Sequence, residues 1–166
     1  MNTASRVLLW LAIPLVFSVS CVSVRLANPE VKKADGVRYS APGGDFASFS
    51  PDHLDAAWKN PKNGNSISYL SDCDPKNDPS LNSIQKGILQ GIQKQEVLLS
   101  EYKRFNGRQA LFTEVKGEVD GIPSQIKLVI LRKNKCIYVL TYVGLDSHFG
   151  TNQKEFDSFV RGFQAP

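Results

Sequence analysis

"FNGRQALFTEVKGEVDGIPSQIKLVILRKNKCIYVLTYVGL", residues 105 to 145, decides the fold of this chain. Asn106-Gly107 and Asp120-Gly121 are dipeptides suited to two-residue type I′ hairpin turns, in which both central residues take positive φ. Between them Leu111, Thr113, Val115, Gly117 and Val119 alternate with Phe112, Glu114, Lys116 and Glu118, a period-two pattern with one buried and one mostly wet face. After the second turn the chain is almost continuously apolar through IKLVIL and, past a turn at Asn134, through CIYVLTYVGL, as expected of strands covered on both faces. With the strand that leads into Asn106, the stretch predicts a four-stranded antiparallel meander whose last two strands are central.

Both flanks of the meander read as helical. Upstream, Leu81, Ile84, Ile88, Leu89 and Ile92 draw one apolar stripe, with Asp78 expected as N-cap and Pro79 at the first helical position. Gly87 and Gly91 stand four apart on that helix and would let it approach the sheet closely. Downstream, Phe156, Phe159, Val160 and Phe163 fall at i, i+3, i+4 and i+7 on a helix from about Asn152 to Phe163, capped by Thr151. Ahead of the first helix, Val37 to Ala41 and Ile67 to Leu70 read as short strands, and a short helix from Pro51 capped by Ser50 is expected between them. Helices layered on an antiparallel sheet define an α+β sandwich.

That element order, with the GNSISYLSDC strand before the first helix, two tight hairpins and an aromatic closing helix, resembles the PsbP-like α/β sandwich over roughly residues 37 to 166. The same fold occurs in small bacterial lipoproteins of the DcrB kind. The resemblance implies an accessory subunit that supports a membrane-associated complex and performs no chemistry.

The first 20 residues set the address. MNTASR carries one positive charge, VLLWLAIPLVFSV carries none, and small residues precede Cys21, which together make a three-part signal peptide. The apolar run is shorter than the ~20 residues of a spanning helix, and Pro14 interrupts it. Ser20-Cys21 resembles the bacterial lipobox, which implies a mature chain that begins at a lipidated Cys21 and is anchored to the membrane by its acyl chains. Ser18 stands where that family usually carries Leu or Val, and Ser18 with Ser20 also fits ordinary secretory cleavage. Val22, in place of an Asp, implies sorting to the periplasmic face of the outer membrane. Residues 22 to 36 read as a tether, and residues 37 to 166 as a single domain.

Without Arg6, 19 basic residues face 16 acidic ones, too small and too dispersed a surplus for nucleic acid. No cofactor or metal is expected. Cys73 and Cys136 with His53 and His148 lack zinc spacing, and two cysteines in an exported domain read instead as a disulfide. Asp72, Asp74 and Asp78 fail the calcium-loop pattern, because Lys76 stands where an Asp or Asn is wanted. An envelope hydrolase would use His53 beside Asp52 and Asp55, yet no G-x-S-x-G elbow is present. A small-ligand carrier would need a cavity near Gly87 and Gly91. The turns at Asn106-Gly107 and Asn134 belong to the same end of the sheet, which gathers Lys103, Arg104, Arg108, Arg132, Lys133 and Lys135 there. This basic end reads as a docking surface for an envelope protein or another anionic surface, or as a solvated rim that keeps strand ends apart. The leading expectation is a non-enzymatic, lipid-anchored envelope protein that binds or stabilises a membrane-associated complex.

Overall fold

Seven strands hydrogen-bond into one antiparallel sheet in a computed structural model that describes residues 31–73 and 78–166. The strands are β1 (Ala47–Phe49), β2 (Ala56–Lys59), β3 (Ser66–Asp72), β4 (Gln93–Phe105), β5 (Arg108–Val119), β6 (Ile122–Lys133) and β7 (Cys136–Leu145). Helix α1 (Leu81–Leu89) joins β3 to β4, and a 3-10 turn (Phe149–Asn152) leads into α2 (Gln153–Gly162). Spatial order is β1-β2-β3-β7-β6-β5-β4, so β4 to β7 form the expected meander, and β7, paired with both β3 and β6, is the middle strand. Positive φ at Asn106, Gly107, Asp120 and Gly121 confirms both two-residue turns, and Asn134 with Lys135 makes a third of the same kind.

The sheet separates two apolar layers, one per helix. Phe156, Phe159, Val160 and Phe163 of the α2 region pack on Ile67, Tyr69, Tyr138, Leu140 and Leu131. On the opposite face Leu89 and Ile92 pack on Leu111, Val115, Leu128 and Ile130. Central strands alternate their side chains into both layers, which is why β6 and β7 read as continuous apolar runs.

Several local expectations are corrected. Ser80, not Asp78, caps α1: its Oγ accepts from the Ser83 amide at 3.1 Å, while the Asp78 carboxylate turns to Arg132. Gly87 and Gly91 do not face the sheet, since a Cβ at either would meet nothing within 4 Å. Close approach occurs instead at Gly117, where a Cβ would collide with the Ile92 side chain and lie 2.7 Å from the Gln93 carbonyl oxygen. No helix follows Pro51. That segment makes one turn, Leu54 N–H to Pro51 O, and the chain then enters β2, with Ala57 and Trp58 buried. Val37 to Ala41 contributes only a bridge between Arg38 and Gln164. Thr151 is not the cap of α2 either. Asn152 holds that position, and its side-chain oxygen accepts from Asn63 and Asn65 at 2.8 and 3.1 Å rather than from the helix. The asparagine-rich loop before β3 is thereby pinned to the start of α2.

The packed domain takes in the last residues of the segment read as a tether. Lys32 O accepts from the Cys73 amide and the Ala34 amide donates to Ser71 Oγ, both at 2.8 Å. Cys21 and Asp74 lie outside the described residues.

Candidate docking surface at the turn end of the sheet

Register places the basic residues. Arg104 lies opposite Gln109, Lys103 opposite Ala110, Phe105 opposite Arg108, and Arg132 opposite Ile137. Alternation then puts Arg104 and Arg132 on the α1 face and Lys103, Arg108 and Lys133 on the α2 face, with Lys135 in the β6–β7 turn. The six cations therefore wrap around one end of the sheet instead of sharing a face.

Half of them are engaged within the fold. Arg132 pairs with Asp78. Lys103 pairs with Glu101 at 2.5 Å and sits 5.5 Å from the centre of the Phe112 ring. Lys133 Nζ donates to the Ala165 carbonyl at 2.8 Å. Arg104, Arg108 and Lys135 are exposed and form no ion pair among the described residues. At such an end a cation remains hydrated and unneutralised, available to an incoming carboxylate or phosphate.

The segment after α2 crosses the same end, which the sequence had not signalled. Asn106 Nδ2 donates to Phe163 O, Asn106 Oδ1 accepts from the Ala165 amide, and Asn134 Nδ2 donates to Pro166 O, at 3.0, 3.0 and 2.7 Å. The legible clue was an Asn at the first position of both turns: besides tolerating positive φ, it carries an amide free to bind a passing backbone.

A disulfide closes the site's other border. Cys73 continues β3 and stands across from Cys136, the first residue of β7; their Cα atoms are 4.1 Å apart and the two sulfurs are bonded. This excludes the zinc reading, since neither sulfur is a free thiolate. It also ties the start of the acidic loop to the basic end.

The other candidate sites assemble less. His53 is exposed on its turn with no side-chain partner among the described residues. Asp55 instead accepts from the Ser71 amide and lies 3.9 Å from the Lys33 ammonium. Among the described residues the His148 ring reaches only the adjacent Ser147 hydroxyl, at 3.4 Å. A groove of about 400 Å³ lies between α1 and β4, lined by Gln85, Leu89, Gln95 and Val97. Two of its three glutamines are tied into the fold, Gln85 to Thr113 and Gln95 to the Leu89 and Ile92 carbonyls. Neither Gly87 nor Gly91 lines it, although their neighbours Lys86 and Gln90 do.

Beyond its own geometry, the chain is similar in fold to three solved structures. Cyanobacterial PsbP (CyanoP) from Synechocystis superposes with a TM-score of 0.54 at 11% identity, over 78% of this chain and 92% of that one. LpqN, involved in cell envelope biogenesis of Mycobacterium tuberculosis, gives 0.55 at 14% identity, over 77% and 82%. PA94 from Pseudomonas aeruginosa, a protein of unknown function, gives 0.52 at 10% identity, over 69% and 92%. No family model matches the sequence, and no curated protein matches it. The fold is thus PsbP-like, an antiparallel sheet between helices.

Proposed function

We propose that this chain is a non-enzymatic protein of the bacterial envelope, anchored through lipid on Cys21, that docks an acidic face of an envelope protein with the turn end of its sheet. The observation that carries the reading is the set of Arg104, Arg108 and Lys135, exposed at one end of a rigid scaffold with no counter-ion among the described residues. Two fold neighbours lend support: LpqN is described as involved in cell envelope biogenesis, and CyanoP is a PsbP. The anchor rests on the Ser20-Cys21 junction, so Cys21→Ser should release the protein from membranes.

Binding of this kind is steered by charge and weakens with ionic strength, since the Debye length shrinks from ~10 Å at 0.1 M salt to ~3 Å at 1 M. Replacing Arg104, Arg108 and Lys135 together with Gln removes charge while sparing the pairs made by Lys103, Arg132 and Lys133. The triple variant should capture its protein partner from envelope membranes at least several-fold less well at low salt, with the difference vanishing at high salt. Equal capture at low salt would reduce these residues to a solvated rim. Capture lost only from anionic vesicles would assign the surface to lipid headgroups.

A further inference from the structure

The free edge of the sheet is unusual in composition and shape. β4 is the last strand in the spatial order, and its outer side has no partner among the described residues. Its first half is blunted: pairing with β5 shifts between Gln93 and Glu96 and again between Val97 and Leu99, and Lys94 takes φ 50°. Such bulges are a common protection of edges. From Leu99 to Phe105 the register with β5 is regular, without a further bulge. Leu99 and Tyr102 remain 40% and 46% exposed there, unusual for an unpaired strand.

Which backbone groups face outward follows from the hairpin. In a two-residue turn the flanking residues, Phe105 and Arg108, exchange their backbone bonds. By alternation Lys103, Glu101 and Leu99 also address β5, so Ser100, Tyr102 and Arg104 present their amides and carbonyls outward.

We infer that two copies of this chain pair antiparallel through Leu99 to Phe105, with Tyr102 opposite Tyr102 on the two-fold axis, to make one continuous sheet. The charge order selects a second copy of this strand as the occupant. Centring the register on Tyr102 sets Glu101 opposite the second copy's Lys103 and Lys103 opposite its Glu101, while Leu99 meets Phe105 in both directions. On the other face Ser100 meets Arg104, so no like charges oppose each other. Moving the two-fold to Glu101 or Lys103 would place like charges directly opposite each other, which is unfavourable. The outward-facing amides at Ser100, Tyr102 and Arg104 fall opposite one another in the favoured register, each pair able to exchange both bonds. Leu99 also borders a groove of about 310 Å³ on the α2 face, lined by Phe112, Val129 and Val160, and the second copy's Phe105 would extend that apolar border. The inference goes beyond the docking reading and stands without it.

The test uses the full chain in bacterial envelopes, with a short bis-maleimide reagent and the unaltered chain as the control for its native cysteines. Tyr102→Cys should give a crosslinked homodimer, and Phe49→Cys on β1 at the opposite edge should not. Glu101→Lys, which sets lysines opposite each other on both sides of the axis, should lower the crosslinked fraction of the Tyr102→Cys chain roughly tenfold. Glu101→Lys with Lys103→Glu should restore it. A folded Tyr102→Cys chain that stays monomeric, or that crosslinks only to a different protein, would overturn the pairing. So would a loss that the charge exchange fails to rescue.

Discussion

Gly117 shows most clearly how a single residue sets the packing of this protein. It lies on β5 beneath the segment that leaves α1, and its missing side chain lets Ile92 and the Gln93 backbone descend onto the sheet. Gly117→Ala should therefore destabilise the fold by roughly 1 to 3 kcal/mol, because the obstructing atoms include fixed backbone. Gly87→Ala, within α1 and facing open space, should instead stabilise it by about 0.5 to 1 kcal/mol. Denaturant midpoints of both variants check this, and equal shifts would contradict it. Alternation in Arg108 to Val119 located Gly117 on the buried side, but nothing local distinguished it from Gly87. That distinction depends on which backbone crosses above each glycine, a contact between residues 92 and 117 that no short-range pattern encodes. The Asn65 side chain is a similar case. It is fully buried, donating to Tyr142 and to Asn152, yet its neighbours in sequence read only as a polar loop.

At the scale of the element, the meander was legible because turn chemistry and alternation agree: two Asn-Gly or Asp-Gly turns bracket a strand of matching period. Strands β1 and β2 were not, because three- and four-residue strands offer too few positions to show a period, and the aromatics and acids around them imitate a helix start. The tyrosines of β3 and β7 carry a consequence for pH. Burial pushes the Tyr142 hydroxyl up to about 12, the nearby Glu155 adding to the effect against the Asn152 backbone, and its hydroxyl donates to the Phe149 carbonyl at 2.6 Å. Burial likewise raises Tyr69, with Tyr39 and Asp55 adding, and Tyr138, with Asp55 adding. In the unfolded chain a tyrosine ionises near pH 10, so the unfolded state loses its protons first. The contribution of Tyr142 is fully retained below about pH 10 and is lost as pH rises through its folded value of about 12; Tyr69 and Tyr138, also raised, act in the same direction. Phenolate absorbance and circular dichroism followed together should show the buried tyrosines still protonated at about pH 10, where free tyrosine ionises, and ionising only as the fold is lost at higher pH. Complete ionisation near pH 10 with the fold intact would refute that coupling.

For the whole molecule, the disulfide and the crossing C-terminal segment hold the turn end in one shape. The Cys73–Cys136 bond spans 63 residues that include α1 and three strands. A loop of that size corresponds to about 4 kcal/mol in the chain-entropy model, a large share of a typical domain stability of ~5 to 15 kcal/mol. Asn106, Lys133 and Asn134 then clasp Phe163 to Pro166 across the turns. Cysteine count and strand order were enough to anticipate the bond, whereas the clasp joins residues 57 to 59 apart at its first contacts and left no periodic trace. The three exposed cations thus stand on a fixed frame, as a docking surface requires. A photo-crosslinking residue placed at Lys135 of the full chain in living envelopes tests that claim most directly, with the same residue at His53 for comparison. The account predicts one protein adduct at Lys135, formed at low salt, diminished at high salt and absent at His53. Adducts at His53 with none at Lys135 would contradict it.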